Sequence, residues 1–237
     1  MGSIYLVRHG QAGFGQQDYD ILTEIGVSQA ETLGHHFNAR QLRAGRVISG
    51  TMTRHLLTKQ HALSHWGDSV NGGESFTEQQ HEGWNEFDHQ NVLQVLDPAF
   101  ADPEAMVAQF NQHQDKTLQF VKVFSSALKR WQSGDFDDEY NEAWHVFFTR
   151  VTDAFRQLCD ELPAKENAVV FTSGGVIAAL LVSLLNVPDE NFMRINMNVA
   201  NASVTEIKVS RFGAMLHRFN DYSAMELSGH HELVTFK

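Results

Sequence analysis

Ile4-Tyr5-Leu6-Val7-Arg8-His9-Gly10 is the stretch on which the reading of this chain turns. Four β-prone, mostly apolar residues run straight into a cation, an imidazole and a glycine. The apolar run predicts a short buried strand. Gly10 lets the backbone turn, which leaves Arg8 and His9 at the strand's carboxyl end. In open α/β sheets that edge is where ligands bind. An unprotonated imidazole beside a guanidinium suits attack on phosphorus, with the cation on the phosphoryl oxygens. His9 is therefore the candidate nucleophile and Arg8 a candidate phosphate ligand.

Working outward, Gln11 to Asp20 is a loop without apolar period, and Thr23 then reads as the N-cap of a helix. Val27, Ala30, Gly34 and Phe37 follow at helical spacing. Val47-Ile48-Ser49 predicts a second strand ending in Gly50, and a helix from Thr53 to His65 carries Arg54 in its first turn. Strand, helix, strand, helix points to an α/β protein with a parallel sheet. From Trp84 to Phe148 no convincing strand is found; Met106 with Phe110, and Leu118 to Trp131, suggest two helices, with an acidic break at Gly134 to Asp138. This block reads as a helical insertion over one end of the sheet, able to shape substrate access. Val146 to Leu162 predicts a further helix before Pro163. The parallel pattern resumes with a strand at Ala168 to Thr172, a tight turn at Ser173-Gly174-Gly175 and a helix from Val176 to Leu185. Ser203 to Val209 and Ala214 to Phe219 predict a closing hairpin, and the tail from Asp221 is unassigned.

The bulk numbers bound what this site can serve. At 237 residues, 42% hydrophobic and 20% charged, the chain can bury a full core and is expected to form one domain, 1–237, carrying the insertion at about 84–148. A net charge of -11 argues against a nucleic-acid or anionic-membrane surface. It leaves room for two or three arginines converging on one phosphate. The single cysteine, Cys159, rules out an intrachain disulfide and suits a reducing, cytoplasmic setting. No signal peptide is expected from the N-terminal residues. Met1-Gly2 is a weak myristoylation match because Leu6 stands where Ser or Thr is preferred.

Three strand ends, far apart in sequence, can meet at one anion. Arg54 follows the second strand and can clamp phosphate oxygens with two N–H groups. Ser173-Gly174-Gly175 follows the late strand and precedes a helix N-terminus, whose N–H groups favour an anion. Read singly, each is bland: Arg54 as a solvated helix residue, the Ser-Gly-Gly run as a turn.

Together, Leu6-Val7-Arg8-His9-Gly10, Leu22-Thr23-x-x-Gly26-x-x-Gln29-Ala30, Ser49-Gly50-x-x-x-Arg54 and Val169 to Leu181 resemble the histidine phosphatase superfamily, the group with the phosphoglycerate-mutase-like fold. The resemblance runs in order along nearly the whole chain, the helical insertion excepted. It implies a three-layer αβα sandwich with a mostly parallel sheet, phosphorylation of His9, and phosphate binding by Arg8 and Arg54. It also implies a proton donor in a segment like Trp84-Asn85-Glu86-Phe87-Asp88; Glu86 is the first candidate and Asp88 the reserve. One position departs. Where the family usually has His-Gly-Gly, this chain has Ser173-Gly174-Gly175. Serine donates one neutral hydrogen bond and carries no charge, and losing one preorganised donor costs on the order of 3 kcal/mol, about a hundredfold in rate. Another of the thirteen histidines could stand in. The mutase pattern has Ser or Thr soon after Arg-His-Gly and then Trp-Asn; Gln11-Ala12-Gly13-Phe14-Gly15 lacks both, which favours hydrolysis.

Other patterns carry less. Gly13-Phe14-Gly15 lacks the third glycine of a dinucleotide fingerprint. Ser173 is not in a Gly-x-Ser-x-Gly elbow. His81, His89, His35-His36 and His230-His231 show no metal-ligand spacing. Most aromatic residues of the insertion are expected in its core, with Trp84 or Phe14 as candidates to line a substrate pocket. The expectation is a phosphomonoesterase acting through a phosphohistidine on a small phosphorylated substrate, without metal or other cofactor, and with no nucleic-acid or membrane partner. The alternatives are a weakly active or inactive phosphate-binding module and, behind it, a mutase.

Overall fold

The computed structural model describes residues 2–13, 20–73, 75–102, 110 and 115–236. Phe14, Gly15 and Met106, on which parts of the sequence reading rest, lie outside them. Among the described residues six strands form one sheet: β1 (Gly2–Arg8), β2 (Arg46–Ser49), β3 (Thr77–Gln80), β4 (Asn167–Thr172), β5 (Val204–Ser210) and β6 (Gly213–Asp221). Their order is β3-β2-β4-β1-β5-β6. β1 runs parallel to β4, β4 to β2 and β2 to β3, while β5 is antiparallel to both β1 and β6. The sheet is therefore mixed and mostly parallel.

The apolar run of β1 explains its place at the centre. Alternate side chains of a strand face opposite sides of a sheet. Ile4 and Leu6 join Ile48 and Val170 in one core, whereas Tyr5 and Val7 join Val47 and Phe171 in the other. Ile4, Leu6 and Val7 are fully buried, each worth about 1.5–3 kcal/mol of transfer energy. A strand with two buried faces needs helices on both sides, which makes three layers. α1 (Glu24–Ala39) and α2 (Thr53–Trp66) cover the Val7 face through Leu33, Phe37, Ala62 and Trp66. α3 (His89–Leu96), α4 (Lys116–Gln132), α5 (Trp144–Glu161), α6 (Gly174–Leu185) and α7 (Phe192–Asn196) contribute to the Ile4 core.

Local chemistry sets the boundaries. Thr23 caps α1, its hydroxyl accepting from Gly26 N at 3.1 Å. α6 is apolar on every side and ends where Asn186 adopts a left-handed conformation (φ 51°). It begins at Gly174 rather than Val176, so the Ser-Gly-Gly run forms the N-cap and first turn of the helix instead of a separate turn. Four of the described elements are additions to the sequence reading: β3, α3, α7 and, in the tail, α8 (Ser223–Leu227). The tail then returns to the body, where Gln29 donates through its amide to Leu233 O and Thr235 Oγ1.

Register brings the strand ends level. Arg8 lies beside Thr172, and Ser49 beside Phe171. His9 N donates to Thr172 O (2.8 Å) and Gly50 N to Phe171 O (3.0 Å). The residues that leave β1, β2 and β4 thus emerge at one edge.

Candidate active site

His9 sits just beyond β1 and is buried. Its Nδ1 lies 2.8 Å from Gly10 O. A carbonyl only accepts, so Nδ1 carries the proton and Nε2 keeps its lone pair. Burial first, then the Arg54 and Arg8 guanidiniums and His55, hold this imidazole well below its usual pKa; the Gly10 bond opposes them weakly. The ring is neutral and oriented, the state a nitrogen nucleophile requires.

The turn that presents it is held by two interlocked glycines. A Cβ on Gly10 would stand 2.4 Å from Gly26 O, and one on Gly26 would stand 2.1 Å from Gln11 O. The Gly10 N–H donates to Thr58 Oγ1 of α2 at 3.0 Å. Strand end and helices therefore meet backbone to backbone, which positions His9 against α2.

Two guanidiniums flank it. Arg54, 1% exposed, donates to Asp20 Oδ1 at 2.8 Å, and Asp20 Oδ2 accepts from Thr53 N at 2.7 Å. Asp20 thus caps α2 and orients its arginine, a role the sequence pattern did not disclose. Arg8 donates to Val199 O. Gly174 lies against it: a Cβ there would be 3.5 Å from Arg8 Nε.

Glu86 arrives from the segment before α3. Its Oε2 accepts from Gly175 N at 3.0 Å and its Oε1 from Phe87 N at 3.2 Å. Burial pushes its carboxyl above the usual range, against the lowering effect of those N–H groups and of Arg54 and Arg8. Gly175 is required by this approach, since a Cβ would meet Glu86 Oε1 at 2.1 Å. The segment itself is clamped. Arg150 donates to Asn85 O (2.9 Å) and Glu82 O (3.1 Å), and forms a two-bond pair with Glu142 (2.7 and 2.8 Å). Asn85 bonds Thr51 in both directions.

Arg8, His9, Arg54 and Glu86 line one cavity of about 280 Å³, closed by Phe87, His89, Phe120, Phe124, Asn196, Met197 and Phe236. Ser173 and Gly174 are not among the residues that line it; both are buried, Ser173 against His55 and Gly174 against Arg8. Asp88, the reserve acid, is exposed and spends its side chain capping α3, with Oδ1 2.9 Å from Asn91 N. Trp84, expected as a possible pocket wall, belongs to the core and accepts through its carbonyl from Thr172 Oγ1 at 2.6 Å. A larger cavity, about 550 Å³, lies at the opposite end of β1, between Gly2, Cys159 and Phe212, away from these groups.

Sequence reasoning also missed His55. This fully buried residue follows Arg54 on α2, places its ring centroid 5.8 Å from that of His9, and bonds Ser173 Oγ through Nε2 at 2.6 Å. No motif marks it. Ser173 occupies the N-cap of α6 but makes no side-chain cap bond there, forgoing about 1 kcal/mol of helix stabilisation. The histidines weighed as metal ligands are dispersed. His81 accepts from Gly83 N, His35 packs edge-on against His65, and His230 bonds Glu232. Among the described residues no group of three or more His, Cys, Asp or Glu is placed to hold a metal ion.

A six-stranded sheet between helical layers, with an arginine-flanked histidine at its carboxyl edge, defines an α/β protein of the phosphoglycerate-mutase-like kind. The family model for the histidine phosphatase superfamily (branch 1) matches residues 4–122 and 108–222, and the chain belongs to that superfamily. Solved structures share the fold. A phosphoglycerate mutase from Bacillus anthracis is similar at 20% identity and TM-score 0.63, covering 95% of each chain. An Entamoeba histolytica phosphoserine phosphatase bound to 3-phosphoglyceric acid shows 15% identity and TM-score 0.63, over 95% of this chain and all of that one. A mycobacterial glucosyl-3-phosphoglycerate phosphatase shows 18% and 0.59, over 93% and 99%. No curated protein matches. No helix among the described residues is long and apolar enough to cross a membrane.

Proposed function

We propose that this chain is a phosphomonoesterase that works through a phosphohistidine on His9 and acts on a small phosphorylated substrate. The observation that carries the reading is the state of His9: Nδ1 committed to Gly10 O, Nε2 unprotonated, and the ring held neutral beside two arginines. Nε2 attacks phosphorus, and the bond from phosphorus to the alcohol oxygen breaks. Arg8, Arg54 and the Ser173-Gly174 turn hold the non-bridging oxygens. Glu86, whose carboxyl is pushed upward by burial, gives a proton to the departing oxygen. Water then attacks the phosphohistidine while the Glu86 carboxylate takes its proton, and inorganic phosphate leaves. The scheme calls on no metal.

The segment 84–148 acts as an insertion within one domain, delivering Glu86 and, through Phe120 and Phe124, covering the cavity. The net charge of -11 and single cysteine fit a cytoplasmic enzyme of small molecules rather than one of nucleic acid or membrane surfaces. Incubation with an aryl phosphate in the presence of chelator, quenched in alkaline denaturant, should reveal a phosphoryl adduct on His9 by mass. His9→Ala should abolish turnover with the fold intact; undiminished hydrolysis in that variant would sink the mechanism. Phosphate binding without turnover in the native protein would instead select the regulatory, phosphate-binding alternative.

A further inference from the structure

Ser173 and His55 form a buried pair that packing does not explain. Both are fully buried, and the 2.6 Å contact from His55 Nε2 to Ser173 Oγ is the one hydrogen bond of that imidazole among the described residues. Its Nδ1 has no hydrogen-bond partner among the described residues. A Cβ on Gly50 would stand 2.3 Å from that Nδ1, so position 50 is cleared for the ring. An apolar side chain would fill the space without burying two nitrogens. The serine, for its part, sits at a helix N-cap and leaves the cap unmade. Each residue gives up its ordinary role for the other, beside the Thr172 carbonyl that anchors His9 N and the Gly174 backbone that packs on Arg8.

We propose that His55 is a positioning residue: its Nε2–H donates to Ser173 Oγ and so frees the serine proton for a phosphoryl oxygen held at His9. The direction follows from satisfiability. With Nε2–H as donor, the orphaned Nδ1 is a lone pair against Gly50. The opposite tautomer buries an unmatched N–H, and it turns only oxygen lone pairs toward an anion. A neutral serine thereby becomes a fixed donor, held by a ring on the same helix as Arg54. The inference rests on the phosphatase reading for the identity of the anion.

The test pairs kinetics with a ring signature. His55→Leu keeps bulk and removes the donor; His55→Gln keeps an N–H near the Nε2 position. With an aryl phosphate, His55→Leu should lower kcat about thirty- to a hundredfold with KM changed little, the scale of one lost donor. His55→Gln should recover most of that rate. Ser173→Ala should match His55→Leu, and the double variant should be no worse than either, because the two act as one unit. In nitrogen-15 spectra of the native protein, the His55 Nε2 should carry the proton and shift when inorganic phosphate is added, and Ser173→Ala should remove that response. Equal rates for the Leu and Gln variants, or losses that multiply in the double variant, overturn the inference while leaving His9 as nucleophile. A native protein that binds phosphate but hydrolyses nothing removes the phosphatase reading, and the ring signature then decides the inference alone. Should His55→Leu fail to fold, the Ser173→Ala spectrum and the Gln variant decide it.

Discussion

In the proposed mechanism Glu86 and His9 make opposite demands on the proton, and burial favours both. A neutral base buried beside cations loses affinity for a proton, whereas a buried carboxyl gains it. The lowered His9 pKa moves the acid limb of activity below the usual histidine range, and the raised Glu86 pKa moves the alkaline limb upward. Turnover of esters with poor leaving groups should therefore extend below the usual histidine range on the acid side and above the usual carboxylate range on the alkaline side. Glu86→Gln keeps the shape of the side chain and removes the acid. It should cost about a hundredfold in kcat on an alkyl phosphate, far less on a nitrophenyl phosphate whose alcohol leaves unaided, and abolish the alkaline limb. Equal losses on both esters would take the acid's role from Glu86. At this scale the sequence pointed to His9, Arg8, Arg54 and Glu86, which line one cavity, because each stands at a strand end or in a motif of fixed spacing. Asp20 and His55 stayed hidden, since an aspartate in a polar loop and a histidine inside a helix look like solvated residues until the fold sets one against Arg54 and the other against Ser173.

Elements with a strong apolar period could be read, and those without one could not. β1, β4 and α6 as far as Val182 are buried almost throughout and announce themselves as apolar runs. β3, Thr-Glu-Gln-Gln, is exposed at every position. It is an edge strand, where polar residues suit the free face and discourage pairing with another chain, so its pattern is that of a loop. α3 is eight residues long and begins at the reserve acid, whose capping role competes with any catalytic one. The segment between β3 and α3 owes its shape to a distant helix: Arg150 of α5 binds its carbonyl groups while Glu142 holds the guanidinium. Arg150→Ala leaves a half-buried Glu142 without its partner and should cost about 2–3 kcal/mol of unfolding free energy. Loosening of Glu86 should lower kcat on the alkyl ester about tenfold, the size of a small misplacement of a reacting group. Urea unfolding and steady-state rates check the pair. Loss of stability with kcat intact would show that the clamp supports the fold without aiming the acid.

At the scale of the whole molecule, the site is a reservoir of neutral histidines held against their solution chemistry. His9 and His55 are held well below 6.5 by burial and the nearby Arg54, and His89, in the wall of the same cavity, is lowered to about 4 by the same causes. Each unfolded ring takes a proton near pH 6.5, whereas each folded ring refuses it. Their contribution to stability is complete above that pH and declines as pH falls, in the case of His89 until about 4. Glu86 works in the other direction: its raised folded pKa binds a proton more tightly in the native state, so acidification through that range favours folding and offsets part of the loss. Three rings against one carboxyl leave a net decline between pH 7 and pH 5, before ordinary carboxylates titrate. His89 alone accounts for about 2 kcal/mol of it by pH 5, at 1.4 kcal/mol per unit of pKa. Urea unfolding measured across that interval should show free energy falling with pH, and His89→Gln should make the slope shallower by about one proton. A slope unchanged by that substitution, or stability flat from pH 7 to pH 5, would mean that the cavity hydrates its histidines in the native state and does not hold them neutral.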